Sequence, residues 1–80
     1  MNDKDILAAI VAMTRQETGN LSLAITSDMM ASDIPGWDSL AHVRILLGVG
    51  AMLGISIDIE KTYRAATIGD LVPIIKRSYL

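Results

Sequence analysis

Turn-forming residues divide this chain into apolar segments, and that division limits its fold more than any other feature. Gly19, the pair Pro35-Gly36 and Gly54 separate stretches in which apolar side chains recur every three or four residues. Such spacing places the apolar side chains on one face of a helix. Eighty residues suffice for one small domain, residues 1–80. The sequence therefore predicts a single all-α domain with four helical segments.

The first helix is predicted over residues 3–17. Asn2 or Asp3 is the expected N-cap and Gly19 the stop. Its apolar and small side chains at helical spacing are Ile6, Leu7, Ile10, Val11 and Thr14. The following residues, up to 38, are predicted to form a long loop with one helical turn near residues 25–30. Loops of this length in compact domains often carry function.

The second helix is predicted over residues 39–53, with apolar residues on both sides. The side expected to face the core carries Val43, Leu46, Val49 and Leu53. The opposite side carries Leu40, Arg44, Leu47, Gly48 and Ala51. Gly48 and Gly50 weaken a helix interior. They could let a neighbouring helix approach closely or leave a shallow landing surface for a partner.

Residues 55–59 alternate between apolar and polar side chains, a pattern that a strand would share. Five residues without a second strand cannot make a stable sheet. We therefore predict an extended connector that buries Ile55 and Ile57, followed by a short third helix over residues 60–64.

The last helix is predicted over residues 68–79. Thr67 and Asp70 have the spacing of a capping box. If Thr67 is the N-cap, Pro73 removes a backbone hydrogen bond and bends the helix. If the regular helix starts nearer Asp70, Pro73 falls in the first turn, where it costs little.

Composition excludes several classes of function. The chain has no cysteine, which rules out disulfides, cysteine metal sites and cysteine nucleophiles, and no metal site is expected. With 51% apolar residues and no Phe, the core must be aliphatic. No apolar run reaches the roughly 18 residues of a membrane span, and the acidic N-terminus lacks the basic region of a signal peptide. No basic cluster interleaved with aromatic residues suggests nucleic-acid binding. We expect a cytoplasmic protein.

Ser39 stands where the turn-rich stretch gives way to a long apolar segment. Asp33, Pro35 and Gly36 favour turns, and no helix breaker follows Ser39 until Gly48. Ser39 should lie at or beside the first position of a helix, where backbone N–H groups lack partners and the helix dipole is positive. A serine at such a place is most often a plain N-cap, but a phosphate esterified to it would find an anion site there.

In this setting Asp38-Ser39-Leu40 resembles the attachment site of acyl carrier proteins. The resemblance covers about residues 6–75, and its most specific part is residues 36–43. It implies a small four-helix bundle with three longer helices and one short helix. Ser39 would receive 4′-phosphopantetheine from coenzyme A, with Asp38 and Leu40 as flanking motif positions.

The resemblance also implies the biochemical role. The chain would be a monomeric carrier, not an enzyme, and would hold acyl groups as thioesters on the arm. The implied partners are a phosphopantetheinyl transferase, an acyl-loading ligase or synthase, and acyl-transferring enzymes. Such carriers serve fatty acid or polyketide biosynthesis.

The second helix departs from the pattern of housekeeping fatty-acid carriers. Those carriers place several acidic residues along it, and basic patches of their enzymes dock there. Here the outer face instead offers Leu40, Arg44, Leu47 and Ala51, which we expect to bind partners. This departure favours a dedicated set of partners in a specialised pathway.

Two alternatives remain open from the sequence. The arm could carry an aminoacyl or peptidyl group instead of an acyl group. The chain could also be a helical interaction module without a prosthetic group, whose apolar outer face is a permanent binding patch. His42, three residues after Ser39, is expected to be a solvated side chain on the same side of the helix.

Overall fold

The computed structural model describes residues 2–78, and within that range the chain is helical and contains no strand. The α-helices are α1, Asp3–Thr18; α2, Ser39–Leu53; α3, Ile59–Thr62; and α4, Ile68–Ser78. α1 packs mainly on α2 and also on α4, and α3 contacts α2 and α4. The predicted all-α class and small helical bundle are confirmed.

α1 begins and ends where its capping residues predict. The Asn2 side chain accepts a hydrogen bond from Asp5 N at 2.8 Å, and Gly19 adopts a left-handed φ of 73° that ends the helix. The buried residues on its inner face are Ile6, Ala9, Ile10 and Thr14. The buried Thr14 hydroxyl donates to the Ile10 carbonyl at 2.7 Å, which satisfies it without a partner outside the helix.

The long loop after α1 contains a 3₁₀ helix, Ala31–Asp33, so the helical turn lies after the predicted residues 25–30. The loop supplies acceptors to the first turn of α4. Ile68 N donates to the Met29 carbonyl and Gly69 N to the Ser27 carbonyl, each at 2.8 Å. A Cβ on Gly69 would lie 3.0 Å from that Ser27 oxygen, so the absence of a side chain permits the contact. These bonds fix the loop because they satisfy donors that a helix end leaves open.

The inner face of α2 differs from the predicted stripe. Leu46 and Val49 are fully buried as predicted, whereas Val43 and Leu53 are only partly buried. The other buried residues of this face are Ala41, His42, Ile45 and Gly50. The stripe is rotated because α1 packs on one side of α2 while α3 and the connector cover another.

The two interior glycines of α2 both allow close packing. A Cβ on Gly50 would lie 2.8 Å from the Ile55 carbonyl oxygen of the connector. A Cβ on Gly48 would lie 2.2 Å from the Met13 methyl group of α1, so Gly48 does not belong to the open outer face. Of the two readings left open for these glycines, the structure supports close approach.

The C-terminal third largely follows its prediction. Gly54, with a φ of 69°, ends α2, and Ile55 and Ile57 pack partly buried against the core. α3 begins one residue earlier than predicted and is shorter than the predicted 60–64, since it spans Ile59–Thr62. Position 79, the predicted end of the last helix, lies outside the described residues.

The predicted capping box starts α4. Asp70 N donates to the Thr67 hydroxyl and Thr67 N donates to the Asp70 carboxylate, each at 3.2 Å. Pro73 therefore lies inside the helix and removes one backbone hydrogen bond. Among residues 2–78, no helix is long and apolar enough to cross a membrane.

Candidate functional site: the Ser39 turn

A tight turn brings the chain to Ser39. Trp37 N donates to the Ile34 carbonyl at 3.2 Å, with Pro35 and Gly36 between them. Gly36 has a φ of 89°. Proline followed by a residue of positive φ defines a type II turn, which is why this Pro-Gly pair works here. Ile34 is buried in the core and anchors the turn to the body of the domain.

Asp38, not Ser39, caps α2. The Asp38 carboxylate accepts from Ala41 N at 2.8 Å, and the Asp38 carbonyl accepts from His42 N at 2.9 Å. Ser39 is the first residue of the helix and is exposed. Its hydroxyl makes no hydrogen bond within residues 2–78, so the plain N-cap reading of Ser39 is wrong. The serine oxygen is free for chemistry because its neighbour does the capping.

The start of α2 also leaves backbone donors open. No described residue accepts a hydrogen bond from the N–H of Ser39 or Leu40. Such donors, together with the positive end of the helix dipole, suit a phosphate oxygen. The residues around Ser39 therefore fit a phosphodiester attached there.

His42 is buried rather than solvated, which corrects the sequence-based expectation. It is 8% exposed and points inward. Its Nδ1 accepts from the Trp37 indole N–H at 3.2 Å, and its Nε2 lies 2.7 Å from the Thr62 hydroxyl. The Thr62 hydroxyl in turn donates to the Ile59 carbonyl. His42 thus joins the turn before Ser39 to α3 and is not available as a base for Ser39.

Aromatic rings enclose His42 on two sides. The Tyr63 ring stacks on it with centroids 4.3 Å apart and planes 25° apart, and the Trp37 ring is tilted at 5.8 Å. Burial lowers the pKa of His42 below its ordinary value, since the charged ring would lose hydration. Burial therefore acts in favour of the neutral form of the ring.

A pocket of about 230 Å³ opens beside this arrangement. Trp37, His42 and Thr62 form one wall. The 3₁₀ segment and the start of α4 supply the rest: Met30, Ala31, Ser32, Ala65, Ala66, Thr67, Ile68 and Leu71. The pocket is lined mainly by apolar side chains, and its lining includes Trp37, two residues before Ser39.

The predicted partner-binding residues of α2 lie on one exposed stripe. Leu40 is 58% and Leu47 60% exposed, and Ala51 continues the line one turn further. Arg44 lies between them but is not a free cation. Its Nη1 is 3.3 Å from the Glu17 carboxylate on α1, a pair that sequence analysis did not predict. We call Leu40, Arg44, Leu47 and Ala51 the outer stripe.

Sequence analysis missed the inward role of His42 and its partners Thr62 and Tyr63. The signal for His42 was present, because it shares the three- and four-residue spacing of the buried Ile45, Leu46 and Val49. No local pattern identifies Thr62 or Tyr63, since they meet His42 only through the tertiary fold.

Comparisons with protein-family models, with curated proteins and with solved structures find no match. Within residues 2–78, no group of three or more His, Asp or Glu side chains is placed to hold a metal ion.

Proposed function

We propose that this chain is a carrier protein of the acyl-carrier type, with Ser39 as the attachment site of 4′-phosphopantetheine. The observation that carries the proposal is the free, exposed Ser39 hydroxyl at the first position of α2, beside an N-cap supplied by Asp38. The similarity of Asp38-Ser39-Leu40 to the attachment motif adds the chemical identity of the group. When attached, the arm supplies a terminal thiol that holds an acyl group as a thioester.

The roles of the chain's own residues follow from their positions. Asp38 stabilises the start of α2 and keeps the Ser39 hydroxyl unbonded. The open N–H groups of Ser39 and Leu40 can donate to phosphate oxygens. Ser39 is a substrate and not an enzyme nucleophile, because the one nearby imidazole, His42, is engaged by Trp37 and Thr62.

Attachment requires an external enzyme, a phosphopantetheinyl transferase. The Ser39 oxygen attacks the β-phosphorus of coenzyme A, the phosphoanhydride bond breaks, and adenosine 3′,5′-bisphosphate leaves. The hydroxyl proton passes to a base of the transferase. The chain then presents its cargo to loading and transferring enzymes of a specialised pathway, which dock on the outer stripe. Small, transient interfaces suit a carrier that serves several enzymes in turn.

A specific observation also favours a second candidate. α2 exposes three large apolar side chains, Leu40, Leu47 and Met52. A helical interaction module without a prosthetic group would present such a surface to its partner. An aminoacyl or peptidyl cargo is a third possibility and uses the same arm.

Intact-mass spectrometry separates carrier from module. The purified chain is incubated with coenzyme A, Mg²⁺ and a broad-range phosphopantetheinyl transferase. We expect one added phosphopantetheine per chain, and none in Ser39→Ala. Helical circular dichroism should be unchanged in that variant, since Asp38 keeps the cap.

The matched control is Ser56→Ala, which removes another exposed serine and should label like the original chain. Labelling that persists in Ser39→Ala would refute the attachment site. No labelling of the original chain, while an established carrier is modified in parallel, would favour the interaction module.

A further inference from the structure

His42 connects two separate parts of the molecule, the turn before Ser39 and the end of α3, through its ring. It reaches the turn before Ser39 through Trp37, α3 through the Thr62 hydroxyl, and the residue after α3 through the stacked Tyr63 ring. Thr62 lies 20 residues after His42 in the sequence, with Tyr63 next to it, and Trp37 lies 5 residues before His42, in the turn that precedes α2. Loss of the ring contacts would separate the Ser39 turn from α3.

The proton positions in this chain of hydrogen bonds are fixed by chemistry. An indole N–H can only donate, so His42 Nδ1 must be the acceptor and carry no proton. The neutral ring then bears its proton on Nε2 and donates to the Thr62 hydroxyl, which in turn donates its own hydrogen bond to the Ile59 carbonyl. A doubly protonated ring would set an Nδ1–H against the Trp37 N–H. Only the neutral ring satisfies both partners.

We infer that Trp37, His42 and Thr62 form a pH-sensitive clamp, in which neutral His42 fastens the Ser39 turn to α3 and protonation of His42 releases Trp37. Trp37 and His42 both line the 230 Å³ pocket, so release of Trp37 would change the lining of that pocket. The clamp would position Ser39, two residues after Trp37, for whichever molecule acts on it. It is a property of the unmodified chain and does not depend on what Ser39 carries.

The surroundings of the ring do not favour its charged form. The charged and titratable groups on the segments around the ring, from the 3₁₀ segment to the first turn of α4, are Asp33, Asp38, Arg44, Asp58, Glu60, Lys61, Tyr63, Arg64 and Asp70. Of these only Tyr63 contacts the ring, and no described carboxylate forms an ion pair with His42. The Asp38 carboxylate is already engaged by Ala41 N. Burial lowers the pKa of His42 from the ordinary value of 6.5, in the direction that the proton assignment requires.

The chain has one histidine and one tryptophan, so both partners can be followed without ambiguity. The unmodified protein is titrated from pH 8 downward while NMR records the His42 ring and fluorescence records Trp37. We expect the ring midpoint below 6.5 and a change of Trp37 emission with the same midpoint. At neutral pH, ¹⁵N shifts should show the Nε2–H tautomer.

Two variants test the mechanism from opposite sides. His42→Gln retains an acceptor for Trp37 and a donor for Thr62 but does not titrate, so its Trp37 emission should stay constant across that range. Trp37→Phe removes the N–H that opposes protonation of Nδ1 and should raise the His42 midpoint above that of the original chain.

Unfolding by urea adds a readout of stability. The folded chain binds the His42 proton less readily than the unfolded chain, so stability is full above pH 6.5 and falls as the pH drops toward the lowered midpoint. The loss of stability at low pH should be smaller in His42→Gln. That variant keeps only the effect of protonating the carboxylates, which it shares with the original chain.

Three results would overturn the clamp. They are an Nδ1–H tautomer at neutral pH, a Trp37 emission change that His42→Gln reproduces, and a His42 midpoint that Trp37→Phe leaves unchanged. If His42→Gln does not fold, the tautomer and the Trp37→Phe titration still decide. No transferase is present in these measurements, so failure of Ser39 modification and failure of the clamp are separate results.

Discussion

The two faces of α2 carry similar apolar side chains but differ in burial. On the inner face Ile45, Leu46 and Val49 are fully buried against α1 and the rest of the core. On the outer face Leu40 and Leu47 are more than half exposed. Burial of apolar area stabilises a fold, whereas exposed area contributes little. Folding therefore explains the inner face only, and the outer stripe is the surface on which we propose that partners dock.

Replacing one residue on each face gives the largest expected contrast. Ile45→Ala should lower the free energy of unfolding by about 2–5 kcal/mol, because it removes buried methyl groups and leaves a cavity. Leu47→Ala, two residues along the same helix, should change it by less than about 0.5 kcal/mol. Urea denaturation followed by circular dichroism measures both. Comparable losses in the two variants would show that the outer stripe is part of the core.

The two glycines of α2 sharpen the same comparison at smaller magnitude. Gly50→Ala should cost about 1–3 kcal/mol of stability, because its new methyl group meets the backbone oxygen of Ile55. Gly48→Ala meets only the flexible end of Met13, which can move aside. Gly48→Ala should therefore change the free energy of unfolding very little, because alanine also favours the helix by up to about 1 kcal/mol. The same urea measurement checks both, and a larger loss in Gly48→Ala would contradict the assignment of the tight contact.

Sequence reasoning predicted the helices well because their ends are set by local chemistry. Each capping or stop signal acts within a few residues of the helix end that it defines. These signals are Asn2, Gly19, Gly54 and the capping box at Thr67. Cap and stop signals of this kind can be read without knowledge of the tertiary fold.

The missed features depend on contacts between distant segments. The loop before the 3₁₀ segment is held by hydrogen bonds that Ile68 N and Gly69 N of α4 donate to the carbonyls of residues 29 and 27, about forty residues away. The rotation of the α2 stripe follows from how α1 and α3 pack on a helix that is apolar on both sides. The position of Ser39 as first helical residue was predictable, but the choice of Asp38 as the cap was not, since both residue types cap well.

The outer stripe can be tested with charge substitutions that barely affect folding. If a transferase modifies Ser39 as we propose, it must approach beside the adjacent Leu40, and kcat/KM of that reaction then reports on this surface. Leu47→Asp should lower it roughly tenfold, the effect of losing about 1.4 kcal/mol of contact. Ala8→Asp, which adds the same charge to an exposed position of α1, is the matched control and should have little effect.

Arg44→Glu gives the smallest and most diagnostic effect. It replaces the exposed Arg44–Glu17 pair with two carboxylates, and because exposed pairs contribute little, stability should fall by at most about 1 kcal/mol. It also moves α2 toward the acidic pattern of housekeeping carriers. If docking rests on apolar contact around one cation, kcat/KM should fall less in Arg44→Glu than in Leu47→Asp. It should also depend only weakly on salt, because salt screens steering between exposed charges, with a Debye length of about 8 Å at physiological ionic strength, but does not screen apolar contact. A rise of kcat/KM in Arg44→Glu, or a steep loss of activity of the original chain with added salt, would show that charge rather than apolar contact governs docking on this face.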